Sequence, residues 1–134
     1  VMSRGDILDV TTESFDRSIA VNLRAQFFLI QAVAKRMIAT PSAQRRSIVT
    51  VTTVAVDHHV ARVLAEYTTA KAGLAHALQH WAVRLEPEGI DCYEVRPGMM
   101  KTEMTSTTTG CVWVSLAARA PATTACICIC RISG

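Results

Sequence analysis

No stretch of this 134-residue sequence is long and apolar enough to span a bilayer. The richest apolar run, Phe27 to Ala34, is interrupted by Gln31 and falls far short of the roughly 20 residues a spanning helix needs. No basic-then-apolar leader opens the chain, so the sequence reads as that of a cytoplasmic protein with no membrane partner. Dense charge of one sign is missing too. The net charge of +3 is small and spread out, which argues against a nucleic-acid footprint. Cysteine is scarce where the pattern is clear: Cys92 stands alone there, and the odd total of five implies no disulfide framework. Glycine is scarce as well, and no glycine-rich turn opens a helix, so the chain offers no cradle for a pyrophosphate.

What is present is a soluble globular balance, half hydrophobic and about a fifth charged, with room for one modest domain. Thr11 and Thr12 suit the start of a helix, and Glu13 stands where a helix N-terminus favours negative charge. Phe15, Ile19, Leu23, Phe27, Ile30, Val33 and Met37 recur at three- and four-residue steps, which predicts one long helix ending near Ala39, before Pro41. Ser47 to Thr53 is a β-branched run that reads as a buried strand, and Val54 to Glu66 as a loop. A second helix is expected from about Tyr67 to Glu86, closed by Pro87 and Gly89. Ile90 to Arg96 is a second strand, ended by Pro97-Gly98.

Helix, strand, helix, strand is the order of crossover units in a parallel sheet. The expected class is therefore α/β: part of a Rossmann-like, doubly wound parallel sheet in three αβα layers, with two strands visible. Ligands of such sheets sit outside the carboxyl ends of the strands, where Thr53 and Pro97-Gly98 stand.

Tyr67 and Lys71 are one helical turn apart and project from one face, near the end of the strand that finishes at Thr53. A phenol is a poor acid or base at neutral pH, and a nearby ammonium would lower its pKa by stabilising the phenolate. The pair could then act as acid and base. Taken alone, the spacing is weak evidence, and an exposed i,i+4 surface pair carries most of the weight.

The run Tyr67-Thr68-Thr69-Ala70-Lys71-Ala72-Gly73-Leu74, the hydroxyl-ended strand before it, Asn22 in the preceding helix and Arg96-Pro97-Gly98 after the next strand share one order and spacing. Together they resemble the short-chain dehydrogenase/reductase family over roughly Asp6 to Thr105. The stretch from Pro87 to Thr102 is similar to the bacterial 3-ketoacyl-carrier-protein reductase type.

The resemblance implies an NAD(P)-dependent oxidoreductase that moves hydride between nicotinamide and a ketone or secondary alcohol, with 3-oxoacyl thioester reduction as one instance. Tyr67 would be the proton donor in reduction, and Lys71 would depress its pKa and bond the nicotinamide ribose. Asn22, the only asparagine, would hold a water linking Lys71 to solvent; its plain alternative is a helix-surface amide. Pro97, Gly98, Met100 and Thr102 match the turn placed against the nicotinamide, or form an ordinary Pro-Gly turn. The cofactor would be NADP or NAD, the substrate a small carbonyl or alcohol, and the intact protein a homodimer or homotetramer.

The sequence departs from the family in three places. No serine lies between Ser47 and Tyr67, so Thr53 is the candidate for binding the substrate carbonyl, one residue further from Tyr67 than the family's serine; otherwise it is a buried strand residue. The family's first strand and glycine-rich turn are not in the sequence, so residues 1–105 are expected to be the catalytic half of the domain, a fragment that binds dinucleotide poorly alone. After Glu103 there is no acidic residue and no lysine, and residues 106–134 are expected to be an atypical tail, disordered or out of frame.

No metal site is expected. Cys126, Cys128 and Cys130 alternate without the longer gaps or fourth ligand of a zinc site. His76 and His80 lack the glutamate of a zinc-protease motif, Ala77 standing there, and read as helix-surface residues, while His58-His59 read as an exposed loop pair or as part of the substrate mouth. The rival functional reading is a non-catalytic, truncated family member that keeps only the helix-helix association surface.

Overall fold

The computed structural model describes residues 6–57, 64–98, 114–118 and 124–127. A short 3-10 turn, Ile7–Asp9, leads into helix α1 (Thr12–Ile19), whose N-cap Thr11 accepts from the Ser14 amide through its side chain. The expected single long helix is continuous but not uniform. Between α1 and α2 (Ala25–Ala39) lies a π-helical turn, Ala20–Arg24, and Asn22 sits at its centre. The buried line along this rod is Ser18, Asn22, Ile30, Ala34, with Phe15 and Val33 of the predicted stripe more exposed. Residues four apart drift about 40° round a straight α-helix. The wider π turn takes up part of that drift and keeps a polar pair upstream and an apolar pair downstream on one side.

Strand β1 (Arg46–Val51) ends two residues before the expected Thr53. Its first residue also closes α2: Arg46 Nη1 donates to the carbonyls of Met37 and Thr40, both at 2.7 Å, adding to the bond that the Met37 carbonyl accepts from the Thr40 amide. After a 3-10 turn, Val54–Val56, helix α3 runs Ala65–Leu85, starting within the segment read as loop. Its N-cap Leu64 has φ 84°, and the Thr68 hydroxyl donates back to the Leu64 and Ala65 carbonyls. Pro87 lies in the closing turn Glu86–Glu88, and Gly89 takes φ 70° before β2 (Ile90–Pro97).

β1 and β2 pair in parallel from Arg46↔Ile90 to Val51↔Val95, with α3 as the crossover, as the helix–strand–helix–strand order required. Arg45 grips Asp91 through two hydrogen bonds at the start of both strands. The core joins Ile30 and Ala34 of α2, Leu74, Leu78 and Leu85 of α3, and Ile48, Ile90 and Cys92 of the sheet. These lie on one face. On the other, Val49 and Val51 are more than half exposed, so the described residues supply two of the three layers of the doubly wound sandwich. Among the described residues no helix is long and apolar enough to cross a membrane.

Val114–Ala118 (β3) pairs antiparallel with β2, and Thr124–Ile127 (β4) antiparallel with β3, giving the order β1-β2-β3-β4. Strand pairing uses backbone groups and needs no charge or helical periodicity, which is why the sequence pattern did not announce it.

Candidate active site

Tyr67 and Lys71 leave α3 on one side and line, with Gln26, Ile30, Val51 and Thr52, a cleft of about 430 Å³ along the edge of β1 that pairs with no other described strand. Thr52 donates its amide to Val95 across the ladder, so by the alternation of a parallel pair the backbone groups of Val51 point to the free edge. Lys71 Nζ donates to that Val51 carbonyl at 2.9 Å and stands 6.0 Å from the centroid of the Tyr67 ring.

This arrangement corrects the expected electrostatics. Burial pushes the Tyr67 phenol above its ordinary value of 10.0, and burial pushes the Lys71 ammonium below 10.5. Burial is the cause that shifts the phenol, upward, where the spacing implied depression by Lys71.

Asn22 is buried in the π turn, and its Nδ2 donates to Ser18 Oγ at 3.3 Å, so it is not the exposed helix-surface amide. The π turn lies close to α3. A Cβ built on Gly73, two residues after Lys71, would stand 3.1 Å from Leu23 Cδ2, the neighbour of Asn22. Thr53 is extended (φ −164°, ψ 151°), lies past the end of β1 and is partly exposed, and its Oγ1 accepts from the Ala55 amide at 3.3 Å, leaving its O–H free to donate. Pro97 ends β2 and Gly98 follows it, both partly exposed. Asn22, Thr53, Pro97 and Gly98 are not among the residues lining the Tyr67–Lys71 cleft. Met100, Thr102, His58, His59, Cys128 and Cys130 lie outside the described residues, as does the side chain of Cys126. His76 and His80 are exposed and meet edge to face at 5.1 Å.

A second set of residues escaped the sequence reading. Glu94 is 3% exposed, in the middle of β2. Its Oε1 accepts from the Thr52 hydroxyl, and its Oε2 from Arg96 Nη2 at 2.9 Å. Arg96 Nε lies 2.9 Å from Oε1 without the alignment of a hydrogen bond, while Nη1 donates to Asp57 Oδ2. The network ties the end of β1 and the turn after Thr53 to the strand end that carries Pro97-Gly98. A signal was available: Ile90, Cys92 and Glu94 alternate on one face, and a carboxylate on a buried strand face must find donors.

The descriptive model of the family named short chain dehydrogenase matches residues 1–110. A probable galactose dehydrogenase, GalD, of Rhizobium meliloti is 40% identical over 97 residues, covering 70% of this chain and 35% of that protein. The crystal structure of a 3-oxoacyl-[acyl-carrier protein] reductase from Brucella melitensis in complex with NAD superposes with a TM-score of 0.71 at 40% identity, over 78% of this chain and 41% of that one. A putative 2-deoxy-D-gluconate 3-dehydrogenase from Agrobacterium tumefaciens with bound NADP gives a TM-score of 0.71 at 28% identity, over 79% and 42%. The chain thus spans little more than a third of the length of the curated relatives it matches. With the Tyr67–Lys71 pair on the crossover helix and the family pattern running from the first residue to residue 110, the chain belongs to the short-chain dehydrogenase family.

Proposed function

We propose that residues 1–105 form the catalytic part of an NAD(P)-dependent oxidoreductase acting on a ketone or secondary alcohol. The observation that carries this is one cleft, at the carboxyl end of a parallel strand, fronted by a phenol and an ammonium from the same helix face. The donor set suits the nicotinamide-ribose end of a dinucleotide: Lys71 offers an ammonium and Tyr67 a hydroxyl to a ribose diol. The 134 residues hold no glycine-rich turn for the pyrophosphate, so that end of the cofactor needs another segment.

When bound, the nicotinamide supplies or accepts the hydride at the substrate carbon. Tyr67 Oη gives its proton to the carbonyl oxygen in reduction and takes one from the alcohol in oxidation. The neutral phenol that burial favours is the form needed for the reductive direction. The free O–H of Thr53 donates to the same substrate oxygen, in place of the family's serine. Asn22 acts through a water that links Lys71 to solvent, so that the proton Tyr67 gives up is replaced through Lys71, which also holds the ribose. Met100 and Thr102, after Pro97 and Gly98, serve the nicotinamide side. The substrate reading is a 3-oxoacyl thioester, supported by the likeness to the Brucella melitensis reductase; aldoses are the competing class, supported by the galactose dehydrogenase.

The test is to assay the chain with NADH and NADPH against a 3-oxoacyl thioester, and with NAD and NADP against galactose, both alone and joined to the N-terminal half of the Brucella melitensis relative. Turnover is expected in the joined protein, falling by about 10²- to 10⁴-fold with Tyr67→Phe. Turnover that survives that substitution removes Tyr67 from the mechanism, and turnover by the chain alone removes the need for a separate phosphate-binding half.

The second reading, a non-catalytic association module, draws on the exposed apolar residues of α2. Phe28 and Leu29 are 55% and 59% exposed, with Val21 and Val33 along the same rod. In the intact protein such a surface would join subunits into a homodimer or homotetramer. A joined chain that assembles but never turns over favours this reading.

A further inference from the structure

A second cleft, of about 400 Å³, lies between the start of α1 and the first turns of α3. Ile7, Val10 and Phe15 give it an apolar wall, and Thr12, Thr69 and Glu66 its polar groups. Glu66 is adjacent to Tyr67 in sequence, yet the two residues line different clefts.

Glu66 is the unusual member. The residue is only 2% exposed; its Oε1 accepts from Ser14 Oγ at 3.1 Å, and its Oε2 has no hydrogen-bond partner among the described residues. A carboxylate oxygen shut away from water without a donor is costly to the fold, so a donor arriving through the cleft would be strongly favoured. Among the described residues no lysine or arginine lines the cleft. The bordering residues 6–17 add four carboxylates, Asp6, Asp9, Glu13 and Asp16, against one basic residue, Arg17, in a chain whose net charge is +3. The local field therefore attracts cations and repels anions. A neutral donor could satisfy Oε2 but would gain nothing from that field. The Phe15 side chain, 41% exposed, adds apolar area and a ring face on which an ammonium or an aromatic body can rest. The volume is at the small end of ligand sites.

We propose that this cleft binds a small organic cation, an ammonium group carried on an apolar or aromatic body, with Glu66 as its counter-ion. The site lies apart from the Tyr67–Lys71 cleft and does not depend on the hydride-transfer reading. Benzylammonium chloride is a suitable probe, with benzyl alcohol as its neutral counterpart, titrated into the 134-residue chain by calorimetry and by amide chemical shifts. Saturable binding is expected, with shifts at the amides of Ser14, Phe15, Glu66 and Thr69. Benzyl alcohol and the Glu66→Gln variant should each bind at least about tenfold more weakly. Thr69 is exposed on α3, so Thr69→Leu leaves the fold intact while filling the cleft. That variant should abolish binding even if Glu66→Gln does not fold. The proposal is overturned if benzylammonium fails to saturate by about 10 mM, if benzyl alcohol binds equally well, or if Thr69→Leu leaves the affinity unchanged. Self-association lost with Glu66→Gln, in a chain that ignores benzylammonium, also overturns it, because the carboxylate would then be taking a side chain from a second copy.

Discussion

The ammonium of Lys71 donates a 2.9 Å hydrogen bond to the carbonyl of Val51, on the open edge of β1. Spacing along α3 brings Lys71 near Tyr67, but the sheet edge decides which acceptor the ammonium takes. The phenol beside it is shifted upward by burial.

The first prediction concerns alkaline titration. The difference between the ultraviolet titration curves of the wild type and Tyr67→Phe should show a phenol ionising above its ordinary value, because burial raises it. The folded state then holds the proton more tightly than the unfolded chain, so this contribution to stability is full below about pH 10 and is lost as pH climbs through the raised value. Lys71 has the opposite sign: its folded value is depressed, so its contribution is present above its unfolded value and is lost as pH falls through the depressed one. A Tyr67 component titrating below the ordinary phenol value would contradict the desolvated site.

Removing the Glu94 carboxylate should cost more than its hydrogen bonds with neutral groups suggest. Glu94→Ala leaves the Arg96 guanidinium, itself 17% exposed, without its main partner, and a loss of about 2–4 kcal/mol in urea unfolding is expected. Thr52→Val should cost about 1 kcal/mol. The double variant should fall short of the sum by about 0.5–1 kcal/mol, since both changes remove one contact. Strict additivity would show that Thr52 and Glu94 are not joined.

Two left-handed residues should respond with opposite signs. Leu64 carries φ 84°, a conformation that costs a branched side chain about 1–2 kcal/mol, so Leu64→Gly should stabilise by about 0.5–1 kcal/mol after the added freedom of the unfolded chain is subtracted. Gly89, at φ 70°, has open space around it, so Gly89→Ala should destabilise by about 1 kcal/mol through backbone strain alone. Thermal unfolding of the two variants reads both. A destabilised Leu64→Gly would mean that the Leu64 side chain matters more than its backbone.

Gly73 tests how tightly the π turn sits on α3. A Cβ there meets Leu23 Cδ2 at 3.1 Å, the end of a flexible side chain, so the clash in Gly73→Ala should be nearly offset by a gain of about 1 kcal/mol in helix propensity. Gly73→Val adds bulk that Leu23 cannot absorb and should destabilise by about 1–3 kcal/mol. If valine is tolerated as well as alanine, the two elements are not in close contact.

Much of the site was legible because its parts are local. Tyr67 and Lys71 share a face at any i,i+4 spacing on a helix, and Pro97-Gly98 ends a strand through its own chemistry. The pairings of Glu94 with Thr52 and of Arg96 with Asp57 were missed because they join residues 42 and 39 positions apart. Thr53 was placed in the strand because threonine favours extended backbone; instead its hydroxyl caps the 3-10 turn that follows, competing with continuation of the ladder.

The order of helices and strands as far as β2, the parallel pairing it demands, and the presence of a phenol and an ammonium on one helix face follow from the chain's periodicity and from covalent helix geometry alone. Which carbonyl receives Lys71, how burial shifts Tyr67, and how Glu94 finds its donors were decided only by the folded chain. Those depend on distances between separate elements and on exclusion of water, neither of which a linear pattern contains.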